Sequence, residues 1–116
     1  MSTKLTAKKR YLPRIVEGYR KFQSLLVVAD DGTSPADKIK VFAADDLPGL
    51  KRAMSLYGAS LRKGEVPDEI SREADQLTLS FEAAFQKLLT SKNVDKDYNL
   101  ADDAFKSYLS FAKISM

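Results

Sequence analysis

Residues 47–89, LPGLKRAMSLYGASLRKGEVPDEISREADQLTLSFEAAFQKLL, decide the fold. In the first half, Leu47, Leu50, Met54, Tyr57 and Leu61 recur at alternating intervals of three and four, which places them on one face of a helix. Lys51, Arg52, Ser55 and Arg62 fall between them, on a solvated face. Gly64 after Lys63 is a left-handed stop, and Pro67 disfavours helix at Val66 and can open the next one. In the second half, Ile70, Ala74, Leu77, Phe81, Ala84 and Leu88 repeat the same rhythm, widened by Phe85 and Leu89. A stripe this broad requires neighbours on two sides. Asp68 and Glu69 stand in the first turn, where carboxylates favour the positive end of the helix dipole. A link as short as Lys63–Gly64–Glu65–Val66 makes the two helices antiparallel neighbours.

The flanking segments supply those neighbours. Leu12, Ile15, Val16, Tyr19, Phe22, Leu26 and Ala29 give a first helix ending near Asp30, because Asp30–Asp31–Gly32 is turn chemistry. Pro13 allows two readings: the first turn of a helix beginning near Leu12, or a kink in one that begins near Thr6. Residues 1–6 are expected to be a flexible lead-in. Gly18 weakens the helix interior by about 1 kcal/mol relative to alanine. Ser34–Pro35–Ala36–Asp37 is a helix start, with a capping serine and a proline in first position. Its face is Ile39, Phe42 and Ala43. An interruption between Asp45 and Gly49 follows, with Asp45 or Asp46 capping the helix beyond. Residues 35–63 therefore read as one broken element. Residues 90–97 make the next turn. Leu100, Ala101, Ala104, Phe105, Tyr108, Leu109, Phe111 and Ala112 then form a last helix with Asp97 or Asn99 as cap. The predicted fold is all-α: a single-domain, up-down-up-down four-helix bundle whose second helix is broken near Asp45–Gly49.

A chain of 116 residues supports one real core, and its 44% hydrophobic and 30% charged composition is that of a globular protein. No apolar run approaches the ~20 residues of a membrane span. With neither cysteine nor histidine in the sequence, disulfides, Cys/His zinc sites and thiol or imidazole catalysis are excluded. The pairs Asp30–Asp31, Asp45–Asp46 and Asp102–Asp103 sit at predicted helix boundaries and read as caps and turns. Asp95–Lys96–Asp97–Tyr98 lacks the continuation of a calcium loop. Ser60–Lys63 spells Ser-x-x-Lys, but on the solvated side of a helix near its end. No catalytic residue, cofactor or metal site is assigned, and the protein is read as a non-enzyme.

Charge is the remaining signal. The net charge is +3, yet Lys4, Lys8, Lys9, Arg10, Arg14, Arg20 and Lys21 face only Glu17 in the first 21 residues, so the remainder is net negative. Such polarity suits docking of the N-terminal end on an acidic surface. A nucleic-acid patch would interleave aromatics with these cations, and Tyr11 alone does so. Tyr19, Phe22, Tyr57, Phe81, Phe85, Phe105 and Tyr108 lie on apolar stripes and read as core. Leu56 and Leu79 fall off their stripes and mark a possible partner surface.

KKRYLPRIVEGYRKF (8–22) and LKRAMSLYGASLRKGEVPDEISREADQL (50–77) resemble the PsbQ-like extrinsic subunits of photosystem II, in particular the algal type represented by the fifth extrinsic subunit of diatoms. The order of features agrees: a basic first helix with Leu–Pro–Arg, a broken second helix, then the Leu-Tyr-Gly and Arg-Lys-Gly-Glu hairpin. The resemblance implies a peripheral protein of the chloroplast thylakoid lumen, imported with a transit peptide that would be absent here. It implies partners among the lumenal subunits of photosystem II and the other extrinsic proteins, no inserted segment, no nucleic acid, and a monomer when free. Such subunits support oxygen evolution by shielding the manganese cluster and helping to retain calcium and chloride, without binding manganese themselves. Charge selects the docking residues: Lys8, Lys9, Arg10 and Arg14 on the first helix, and Lys51, Arg52, Arg62 and Lys63 near the hairpin. The alternatives are a helical adaptor for another acidic protein and, third, a weak nucleic-acid binder.

Overall fold

The computed structural model describes residues 3–27, 32–60 and 69–114, and all their regular structure is helical. The helices are α1 (Thr3–Gln23), α2 (Pro35–Val41), α3 (Leu47–Ser60), α4 (Glu69–Leu89) and α5 (Val94–Phe111). A π-helical turn, Phe42–Asp46, joins α2 to α3, so these pieces form one broken rod among four. The Lys63–Val66 link, Asp68, Asp30 and Asp31 lie outside the described residues.

Helix α1 runs from Thr3 through Pro13, in agreement with the reading that places Pro13 inside a helix begun near Thr6 and against a first turn at Leu12; Thr3 to Thr6, expected to be a lead-in, are helical. Pro13 is exposed. There the backbone carbonyl that proline leaves without a partner can turn to water. The helix ends at Gln23 and not near Asp30. Beyond it the chain tightens into i→i−3 bonds, Ser24 N–H to the Lys21 carbonyl and Leu25 N–H to that of Phe22, both 3.1 Å. The Lys38 ammonium donates to the carbonyls of Ser24 (2.5 Å), which also accepts from Val27 N–H at 3.1 Å, and of Val27 (2.7 Å). Gly32 has φ +85°, the left-handed conformation its turn position asks for.

Ser34 caps α2 as the sequence indicates: its backbone is extended and its hydroxyl accepts from Asp37 N–H at 3.3 Å. Neither Asp45 nor Asp46 caps α3. The backbone stays right-handed through Leu47 (φ −59°, ψ −45°), so no residue leaves the helix to become a cap, and Asp46 instead reaches Lys21 on α1. The last helix also starts earlier than expected. Asn93, not Asp97 or Asn99, is its cap, accepting from Lys96 N–H at 3.2 Å. Ser91 braces this end through a 2.5 Å bond to Asp97.

Contacts fix the up-down-up-down order. At one end Phe22, near the C-terminus of α1, meets Phe42 after α2, Phe81 and Phe85 of late α4, and Tyr98 and Phe105 of early α5. Towards the other end the Tyr108 hydroxyl of late α5 donates 2.5 Å to the Met54 carbonyl of α3, and Gly58 of late α3 lies against Ala74 of early α4. Successive rods therefore run in opposite directions. The core holds every aromatic that the stripes assign to it, all 7% exposed or less. Phe22 is its centre, with Tyr98 stacked on it at 4.7 Å and 12°. Thr78, buried off the stripe, satisfies its hydroxyl on the Ala74 carbonyl at 2.8 Å. No buried side-chain polar atom among the described residues lacks a partner.

Candidate docking surface

Helix α1 buries Ile15, Tyr19 and Phe22, so its cations divide between two flanks. Arg14, Glu17 and Lys21 line the flank towards α3, in a groove with Asp45 and Asp46. Lys21 bonds Asp46 at 3.1 Å and lies 4.0 Å from Glu17, and its ammonium pKa is raised chiefly by the Asp46 hydrogen bond. This flank balances its own charge. Lys8, Lys9 and Arg10 are exposed and form no ion pair among the described residues.

The second charge-selected group is not one patch. Lys51 is paired with Glu82 across the α3–α4 seam. Arg52 is exposed on the outer side of α3, while Arg62 and Lys63 lie outside the described residues. Leu56 (38%) and Leu79 (59%) are exposed. Leu79 stands between Asp75, which accepts from Ser55 at 2.8 Å, and Glu82, the partner of Lys51.

The other flank of α1 carries a grouping that the sequence reading does not single out. Tyr19, Arg20 and Gln23 of α1 face Lys106, Leu109 and Ser110 of α5 across a groove of about 490 Å³, closed at one end by Ile114. Asp102 lies behind it, accepting from the Tyr19 hydroxyl at 2.8 Å and pairing with Lys106 at 2.9 Å. Burial, reinforced by Asp102, pushes the Tyr19 phenol well above the ordinary range. The Asp102 hydrogen bond likewise raises the Lys106 ammonium. Ile114 is brought back by a Schellman turn: its N–H reaches the Leu109 carbonyl at 2.9 Å, with Lys113 at φ +56°. The only local signal for this grouping is the i, i+4 spacing of Asp102 and Lys106.

Among the described residues, no group of three or more acidic side chains is placed to hold a metal ion, and no helix is long and apolar enough to cross a membrane. Compared with protein-family models, curated proteins and solved structures, the chain matches none.

Proposed function

We propose that this protein is a non-enzymatic extrinsic accessory subunit of photosystem II. In this reading it is peripheral to the thylakoid membrane on the lumenal side, contacts the lumenal subunits and other extrinsic proteins, and supports oxygen evolution and the retention of calcium and chloride. The likeness of residues 8–22 and 50–77 to PsbQ-like subunits names the partner.

One physical observation supports docking. Lys8, Lys9 and Arg10 stand exposed on a helix that is packed into the core further along, through Ile15, Tyr19 and Phe22. Cations held on a packed helix lose less freedom on association than those of a free basic tail. Their attraction to an acidic surface reaches about 8–10 Å at moderate salt and fades as salt rises.

The test is reconstitution of the purified chain onto photosystem II membranes stripped of extrinsic proteins. Saturable rebinding that weakens with salt, with recovery of oxygen evolution, is the expected result. Replacing Lys8, Lys9 and Arg10 by glutamine should weaken rebinding at low salt. Retention indifferent to salt, or rebinding with no gain in oxygen evolution, overturns the reading.

A further inference from the structure

The α1–α5 seam is held unevenly. Around its middle, the Tyr19 ring packs tilted against Phe105 at 4.6 Å and its hydroxyl bonds Asp102, and the Tyr98 hydroxyl donates to the Phe22 carbonyl at 2.9 Å. Beside these contacts the helices leave the 490 Å³ groove open between them. Both charged side chains that line it are cationic, Arg20 and Lys106. Of the nearby acids, Asp103 is exposed and close enough to act on the Lys106 ammonium. Asp102 is shared between Tyr19 and Lys106, and Glu17 lines the opposite flank of α1 with Lys21. The floor is apolar, formed by Leu109 and Ile114. Lys9 lies eleven residues before Arg20, three helical turns, so it stands on the same line of α1 and extends the cationic rim lengthwise.

We infer that this groove is the seat of an acidic segment of the partner protein. Carboxylates of that segment reach Arg20 and Lys106, and an apolar side chain lies on Leu109 and Ile114. The inference rests on the docking function proposed above and assigns it a surface, the α1–α5 seam, where Arg20 forms no ion pair among the described residues. A trough lined by two helices and one turn does not enclose a small ligand on most of its surface, as small-molecule sites do, but it admits a strand or helix lengthwise. Arg20 in its lining disfavours a basic segment. Asp102 holds Lys106 in place before binding, so less side-chain freedom is lost when a carboxylate arrives.

The experiment uses the full chain and stripped photosystem II membranes. Arg20→Glu combined with Lys106→Gln is expected to weaken rebinding by roughly tenfold or more, while Arg72→Glu, which also reverses an exposed cation, changes it less than about twofold. Because the chain has no cysteine, Ser110→Cys and Ser80→Cys each accept a single photo-crosslinker without touching Arg20 or Lys106. Crosslinking to a protein subunit from position 110 and not from 80 supports the groove even where the charge variants lose stability. Equal loss for groove and Arg72 variants, or crosslinks from 80 alone, overturns the groove and leaves the docking function standing. Binding to phosphatidylglycerol vesicles with the same Arg20 and Lys106 dependence replaces the protein segment by a lipid surface and overturns the inference. A wild-type chain that does not rebind overturns the docking function, and the groove with it.

Discussion

Gly58 of α3 approaches Ala74 of α4 so closely that a β-carbon on Gly58 would lie 2.2 Å from that of Ala74. The Tyr108 hydroxyl is next to the same point, bonded to the Met54 carbonyl one turn earlier in α3. Three helices thus meet where one residue has no side chain. Ala74 is fixed to its backbone and cannot swing aside. Gly58→Ala should therefore force α3 and α4 apart, and overpacking of about 1–3 kcal/mol should exceed the ~1 kcal/mol gained in helix propensity. Gly18 provides the contrast. A β-carbon there would lie 2.8 Å from Leu50 Cδ1, the far end of a flexible side chain that can re-orient. Gly18→Ala should change stability by less than about 1 kcal/mol. Parallel urea melts check both, and equal effects would remove the distinction.

Lys38 ties the end of α1 to α2. Its ammonium donates to the Ser24 carbonyl, which also accepts from Val27 N–H at 3.1 Å, and to the Val27 carbonyl. Lys38→Met keeps the aliphatic stem and removes the donors. The expected loss is about 1 kcal/mol for exposed, charge-assisted bonds. Amide exchange should quicken for residues 24–27 more than for α4. Uniform acceleration across all helices would mean that Lys38 acts on global stability and not as a local tie.

The bundle was legible because the stripes of α3, α4 and α5 each repeat at three and four, and tertiary packing obeyed them except at Leu100, which is 49% exposed. Even the π turn leaves a trace. Ile39, Phe42, Leu47, Leu50 and Met54 are spaced three, five, three and four, and the interval of five is the extra residue that a π turn absorbs. Asn93 was hidden by charge. Val94 and Tyr98 continue the α5 stripe, but Asp95, Lys96 and Asp97 around them read as a polar turn. Of the candidate surface, the exposed Lys8–Arg10 run is local and was readable. The pairing of Lys51 with Glu82 and the meeting of Arg20 with Lys106 depend on how rods register against each other, which composition along one rod does not encode.

Lys113 occupies a position that suits glycine. Its φ of +56° allows the Schellman turn that returns Ile114 towards the core. A side chain in that conformation costs on the order of 1 kcal/mol. Lys113→Gly should stabilise the chain by about 0.5–1 kcal/mol, the larger backbone freedom of unfolded glycine setting the upper limit. A rise in melting temperature with unchanged α5 exchange protection is the expected pattern. A fall would indicate that the lysine side chain makes a contact outweighing its backbone strain.

Three tyrosines set an alkaline limit. Burial raises the phenols of Tyr19, Tyr98 and Tyr108 above the unfolded value of 10.0, with Tyr98 pushed up to about 12 and Asp102 adding to the shifts of Tyr19 and Tyr98. Each is protonated, and its hydroxyl donates, in the folded chain. Below pH 10 both folded and unfolded chains keep these protons, and the stabilisation is complete. Above it the unfolded chain releases protons that the folded chain retains, so stability falls as pH rises towards the folded values. Urea midpoints should therefore decline from about pH 10 upward, with phenolate absorbance from these residues appearing together with loss of helix. Tyr98→Phe should make the decline shallower, because one of the retained protons is gone. Phenolate signals from all three that rise well before the helices melt would show that their hydroxyls are open to solvent, and the hydrogen bonds to Asp102, Phe22 and Met54 would then not hold in solution.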